Sequence, residues 1–215
     1  MREALDQKLN EINVKLLKMT ELVEENIENS LKALTDQDVE LADEIIKKDL
    51  IINEFETEIE MLCVSLIALQ APAATDLRHV FSMLKIVTDI ERMGDNCCNI
   101  AEVVKSLGKY ELVKPLVDLP IMEKKARKMV FDSINSFLNR DLDLAKETAK
   151  LDDEVDELYA LIYRDLLKLI KNEKQNDDQV IGLILVGRYL ERIADHATNI
   201  CERLIYLETG ENVKY

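Results

Sequence analysis

Two short segments of the chain place carboxylates at the same spacing, one hundred positions apart. In the first, Asp95 follows Glu91 by four residues, and in the second, Asp195 follows Glu191 by four residues. The ten-residue segments around these acids also share Arg, Asn and Ile in register. Residues four apart lie on one face of a helix, and like charges at that spacing repel. The recurrence favours a site in which a cation offsets the repulsion; the alternative is a solvated polar face.

A second and weaker repeat offers further ligands on a neighbouring helix. Asp49 and Asn53 are four residues apart, and Asp152 and Asp156 repeat that spacing in the second half. Carboxylate and amide oxygens suit cations such as Mg²⁺, Mn²⁺, iron and Ca²⁺. Antiparallel helices would bring up to four such oxygens together per half. The predicted metal ligands are Asp49, Asn53, Glu91 and Asp95 in the first half and Asp152, Asp156, Glu191 and Asp195 in the second.

The second half carries four carboxylates where the first has three and the neutral Asn53 amide. Because attraction for a cation grows with ligand charge, we expect the second site to bind more tightly. Arg92 and Arg192 lie beside these acids, and we expect them to form salt bridges to acids on a neighbouring helix. Orientation of the ligands by these arginines, or contact with an anion, is a less favoured alternative.

Long helices must position these residues, because 5 Gly and 3 Pro in 215 residues leave little material for turns. Apolar residues recur every three or four positions, which is typical of amphipathic helices. Short connections would make neighbouring helices antiparallel. The sequence therefore predicts an all-α protein of two tandem antiparallel three-helix bundles, residues 1–110 and 111–215, related by an internal repeat. The helices are expected over Glu3–Leu34, Val39–Leu69, Thr75 or Asp76 to Gly108, Ile121–Asn139, Leu142–Lys171 and Gln179–Leu207.

The connections carry their own signals. Asp38 is available to cap the second helix, and Thr75 or Asp76 to cap the third. Residues 112–120 contain two prolines and are expected to link the halves, while residues 172–178 form a polar turn.

Charge and composition narrow the function. A net charge of −15 argues against nucleic acid as a partner. The N-terminus has no apolar signal core and no apolar run is long enough to span a membrane, so a cytoplasmic protein is expected. Four Cys without a Cys-x-x-Cys pair predict neither disulfides nor a thiolate zinc site, but small buried side chains.

The sequence gives little support for catalysis, because it has no Gly-rich phosphate loop, Ser-His-Asp set or His-x-x-x-His pair. Asp76 and His79 have the carboxylate-x-x-His spacing of di-iron bundles, but the second half has no counterpart, so capping is the expected role of Asp76. The favoured interpretation from the residues is a non-enzymatic metal-binding protein. A helical scaffold without metal and, less favoured, a carboxylate-bridged di-iron enzyme stay open.

The doubled Glu-Arg-x-x-Asp segments, with the Pro72–Arg78 turn, resemble the PhoU family over nearly the whole chain. The resemblance implies a cytoplasmic homodimer that negatively regulates phosphate uptake and phosphate-starvation signalling. Its implied partners are the ATPase subunit of the phosphate ABC transporter and a membrane sensor histidine kinase. It also implies divalent or trivalent metal ions, as multinuclear iron or zinc clusters, on the motifs that contain the predicted ligands. Asn53 departs from the carboxylate form of that motif.

Overall fold

The computed structural model describes residues 2–108, 112–170, 177–211 and 213–215. These residues form seven α-helices and contain no strand, which confirms the all-α prediction. The helices are α1 (Arg2–Asp36), α2 (Val39–Gln70), α3 (Ala74–Leu107), α4 (Asp118–Asn139), α5 (Leu142–Lys150), α6 (Asp152–Ile170) and α7 (Asp177–Thr209).

The single long helix expected over Leu142–Lys171 is wrong, because a turn at Leu151 divides it into α5 and α6. The Leu151 N–H donates to the Thr148 carbonyl three residues back, which tightens the helix at this point. Three acids in the first turn of α6 then suit a new helix N-terminus. Its expected last residue, Lys171, lies outside the described residues.

Helix starts follow the predicted caps only in part. Asp38 caps α2 by accepting from the Leu41 N–H at 3.0 Å, as expected. The cap predicted for α3 is wrong: the helix begins at Ala74 without a side-chain cap. Asp76 instead lies in the first turn, where its charge favours the helix N-terminus.

The predicted linker is shorter than expected, because α4 begins at Asp118 rather than Ile121. Pro120 is compatible with this start, since a first-turn N–H has no acceptor within the helix. Of the polar turn predicted at residues 172–178, Asp177 and Asp178 begin α7, and the remainder lies outside the described residues.

The two halves, α1–α3 and α4–α7, share one apolar core. Between the halves, α1 packs on α4 and α3 packs on α7. The helix α2 packs on α1 and α3, whereas α5 and α6 pack on α4 and α7. The outer helices therefore flank a central group of four, which places the predicted ligand pairs at the α2–α3 and α6–α7 contacts.

A polar contact joins the halves where α3 meets α7. The buried Asp89 carboxylate of α3 accepts from the Arg203 Nε–H of α7 at 3.3 Å and lies 3.0 Å from His196 Nδ1. The Asn199 amide donates to the same carboxylate at 3.4 Å. None of the described helices is long and apolar enough to cross a bilayer.

Candidate metal sites

The first candidate site lies between α2 and α3 and contains Asp49, Asn53, Glu91 and Asp95. Asp49 is only 9% exposed and accepts a hydrogen bond from the Asn53 amide at 3.2 Å. The close approach of the helices depends on Gly94, because an added Cβ there would lie 2.9 Å from Asp49 Oδ1. The carboxylate thus occupies space that a side chain would fill.

Burial and like charges act together on these acids. Burial, together with the neighbouring Asp95 and Glu56 carboxylates, raises the pKa of Glu91 to about 7. Burial and the Asp95 charge also raise the pKa of Asp49. Burial and the clustering of these acids therefore make their charged forms less favourable.

The expectation that Arg92 bridges to a neighbouring helix is wrong, because it pairs with the two acids of its own motif. Its Nη1 lies 3.1 Å from Asp95 Oδ2, and its Nε lies 3.4 Å from Glu91 Oε2. The spacing of three residues to Asp95 permits this contact on one helix. Arg92 is half exposed, so it neutralises these acids only in part.

The second candidate site lies between α6 and α7 and contains Asp152, Asp156, Glu191 and Asp195. Glu191 is 8% exposed and pairs with Arg188 one turn earlier on α7. Burial, Asp195 and Asp156 raise the pKa of Asp152 to about 6, and burial and Asp195 raise the pKa of Glu191 to about 7. The electrostatics of the first site recur here.

Each site contains buried oxygen atoms that have no hydrogen-bond partner among the described residues. They are Asp49 Oδ1 and Asn53 Oδ1 in the first site and Asp152 Oδ1 and Glu191 Oε2 in the second. An unsatisfied buried acceptor costs about 1–3 kcal/mol, and cations such as Ca²⁺ and Mg²⁺ use oxygen ligands of this kind. Across the described ranges, however, no three His, Cys, Asp or Glu side chains are already arranged to hold an ion. Coordination therefore requires side chains to rotate.

Two residues at the first site were not predicted from the sequence. Glu56 follows Asn53 by three residues on α2. Its charge raises the pKa of Glu91, and the charge of Asp95 raises the pKa of Glu56. Burial raises the pKa of Glu56, and Glu60 adds to the effect. Its position three residues beyond Asn53, on the same helical face, could have identified it.

The second missed residue is Cys98, which is half-buried on α3 beside Asp49. Burial and the Asp49 charge raise the pKa of its thiol to about 12. With Glu56 counted, both sites hold four carboxylates. Ligand charge alone therefore no longer ranks the second site above the first.

The remaining titratable candidates have packing partners. The His79 ring stacks on Phe137 with its centroid 5.3 Å away, and burial lowers its pKa to about 4. The histidine of the Asp76–His79 pair therefore packs against α4. His196, next to Asp195, contacts Asp89 across the halves.

Comparison with known proteins identifies the family of this fold. The family model described as "PhoU domain" matches residues 16–104 and again residues 119–204. The chain is 40% identical to the phosphate-specific transport system accessory protein PhoU homologue of Clostridium acetobutylicum, covering 99% of this chain and 97% of that protein. It is 43% identical to the homologue of the same name from Aquifex aeolicus, covering 98% and 96%.

Solved structures agree with the sequence relatives. The crystal structure of PhoU from Pseudomonas aeruginosa superposes with a TM-score of 0.92 at 34% identity, covering 96% of this chain and 99% of that one. The phosphate transport system regulatory protein PhoU from Streptococcus pneumoniae gives a TM-score of 0.91 at 34% identity, covering 98% and 100%. The double match confirms that the fold is built from an internal repeat.

Proposed function

The chain belongs to the PhoU family, and we propose that it is a negative regulator of phosphate uptake and phosphate-starvation signalling. It acts in the cytoplasm as a homodimer that binds the ATPase subunit of the phosphate ABC transporter and a membrane sensor histidine kinase. The observation that carries the proposal is the similarity of the whole chain, both halves included, to accessory proteins of phosphate-specific transport.

The regulation we propose is non-enzymatic. The sequence offers no nucleophile–base set, and the buried His79 stacks on Phe137. The duplicated acidic helices are long, regular surfaces suited to contact with other proteins. Regulation would then come from binding and release of partners.

We propose in addition that each half binds divalent or trivalent metal ions, with iron and zinc as the leading candidates. The supporting observation is the pair of buried, unpartnered oxygens in each site. A bound cation would offset the repulsion among the carboxylates and link α2 to α3 and α6 to α7. Glu91 and Asp95 must first leave Arg92, and Glu191 must leave Arg188. The proposed ligands are Asp49, Asn53, Glu91 and Asp95, and Asp152, Asp156, Glu191 and Asp195.

A metal-free scaffold is the second candidate, favoured by those same arginine pairs. Arg92 and Arg188 already place a positive charge beside the acids without any ion. Elemental analysis of protein purified without a chelator or affinity tag separates the two candidates.

Deletion of the gene tests the regulatory role. We expect phosphate-starvation genes to be expressed in phosphate-rich medium, and the wild-type gene to restore repression. Pull-down should recover the transporter ATPase or the sensor kinase. Normal repression in a deletion strain without a paralogue would contradict the proposal and leave the fold and metal assignments standing.

A further inference from the structure

The two candidate sites differ in one side chain, which faces the ligands from α3 in the first half and from α7 in the second. The register of one hundred residues that pairs Glu91 with Glu191 also pairs Cys98 with Thr198. A thiol therefore stands at the first site where a hydroxyl stands at the second. Thiolates prefer soft or borderline cations, whereas a hydroxyl adds only another oxygen.

Cys98 lies on the same face of α3 as the predicted ligands. It follows Asp95 by three residues and Glu91 by seven, which are the spacings of one helical face. Across the helix contact its thiol donates a hydrogen bond to the Asp49 carboxylate. The other three cysteines of the chain are buried, so Cys98 is the one with partial access to solvent.

Asp49 is an independent indication that this spot holds a ligand. Its side chain is more than nine-tenths buried, and its Oδ1 has no hydrogen-bond partner in the described part of the chain. That oxygen lies against Gly94, one turn before Cys98. The Asp49 carboxylate and the Cys98 thiol therefore contact each other from facing helices, and a cation that replaces the thiol proton could bind both.

We propose that Cys98 is a thiolate ligand of the first site, which binds a thiophilic divalent cation such as Zn²⁺, while the second site binds its cation through oxygen alone. The inference rests on the metal binding proposed above. On binding, a metal–sulfur bond forms, the S–H bond breaks, and the proton leaves to solvent, with no change of oxidation state. The two halves then respond to different metals.

Cadmium tests this assignment, because a cadmium–thiolate bond gives an ultraviolet charge-transfer band and a carboxylate does not. The full chain, purified without a tag and freed of metal, is titrated with Cd²⁺ under reducing conditions. The bound ion is counted in parallel by equilibrium dialysis and elemental analysis. We expect the band to saturate before the total bound cadmium does, because only one site supplies sulfur.

Matched variants come from the repeat itself. Cys98→Thr gives the first site the residue of the second, and we expect it to abolish the band while cadmium at the second site remains. Thr198→Cys should increase the intensity of the band, because the second site then also supplies sulfur. Cys97→Ala, which introduces the residue found at Ala197, should leave the band unchanged. Helical circular dichroism confirms that each variant is folded.

The outcomes separate this inference from the function on which it rests. Cadmium bound without a band, or a band that survives in Cys98→Thr, overturns the role of Cys98 and leaves metal binding intact. Absence of bound cadmium in the wild-type protein overturns both.

Discussion

Asp49 and Gly94 are complementary across the α2–α3 contact: the carboxylate oxygen of one stands 2.9 Å from where a Cβ on the other would be. The residue of the second half that corresponds to Gly94 is Ala194, so a methyl group is present there and absent in the first half. The first candidate site consequently depends on the absence of a single methyl group.

We expect Gly94→Ala to weaken metal binding at the first site without unfolding the protein. Alanine favours the helix by about 1 kcal/mol, but the new methyl group displaces the Asp49 carboxylate and presses on Ile52. Isothermal titration with Zn²⁺ measures the loss. Ala194→Gly is the control, expected to cost about 1 kcal/mol in unfolding free energy. Unchanged zinc affinity in Gly94→Ala would mean that Asp49 is not a ligand.

Removal of Arg92, the arginine between Glu91 and Asp95, should strengthen metal binding at the first site. Arg92 competes with a cation for Glu91 and Asp95, and an exposed pair of this kind is worth roughly 0.2–1 kcal/mol. Arg92→Gln should therefore bind metal about 1.4- to fivefold more tightly at the first site, measured by isothermal titration with Zn²⁺. Arg188→Gln is the counterpart at the second site. Weaker binding in both variants would instead indicate that the arginines orient the ligands.

Stability of the metal-free protein should fall as pH rises from about 4.5 to about 7. Folding raises the pKa of Glu91 and Glu191 from 4.5 to about 7, so the folded protein holds more protons in that window. The contribution of these two groups to stability is therefore full below pH 4.5 and is lost as the pH rises to about 7. Thermal unfolding across this range measures the slope. The Glu91→Gln, Glu191→Gln double variant should flatten it, and an equal slope in that variant would contradict the assignment.

The contact between the halves should depend on Asp89. Its carboxylate is buried and has three polar partners on α7. Asp89→Asn removes the negative charge that pairs with Arg203 and replaces one acceptor oxygen by a donor. We expect a loss of about 1–3 kcal/mol in denaturant unfolding. Asp43→Asn, at an exposed pair with Lys105, is the control and should change stability by less than about 0.5 kcal/mol. Equal effects of the two variants would assign Asp89 no special role.

The helices could be predicted closely because their apolar stripes are long and few turn residues interrupt them. The end of α3 at Leu107 before Gly108 and the cap at Asp38 follow from local chemistry. The division at Leu151 could not be predicted, because neither Gly nor Pro marks it. A one-residue tightening leaves no trace in hydrophobic periodicity.

In the candidate sites, relations within one helix could be predicted from the sequence, whereas contacts between helices could not. Spacing identified Glu91 and Asp95 because their relation lies within one helix. The contact of Cys98 with Asp49 depends on how α2 and α3 are rotated relative to each other, which sequence spacing does not determine. Arg92 was different: its three-residue spacing to Asp95 was sufficient to predict the pair, and the neighbouring-helix interpretation overlooked it.

The most direct test of the metal assignment is the metal content of untagged protein, purified without chelator, in the wild type and two double variants. We predict that Glu91→Ala with Asp95→Ala, and Glu191→Ala with Asp195→Ala, each lose the metal of one half while the helical signal is kept. Metal content equal to the wild type in both variants, or a wild-type chain without metal after exposure to zinc and iron, would contradict the account.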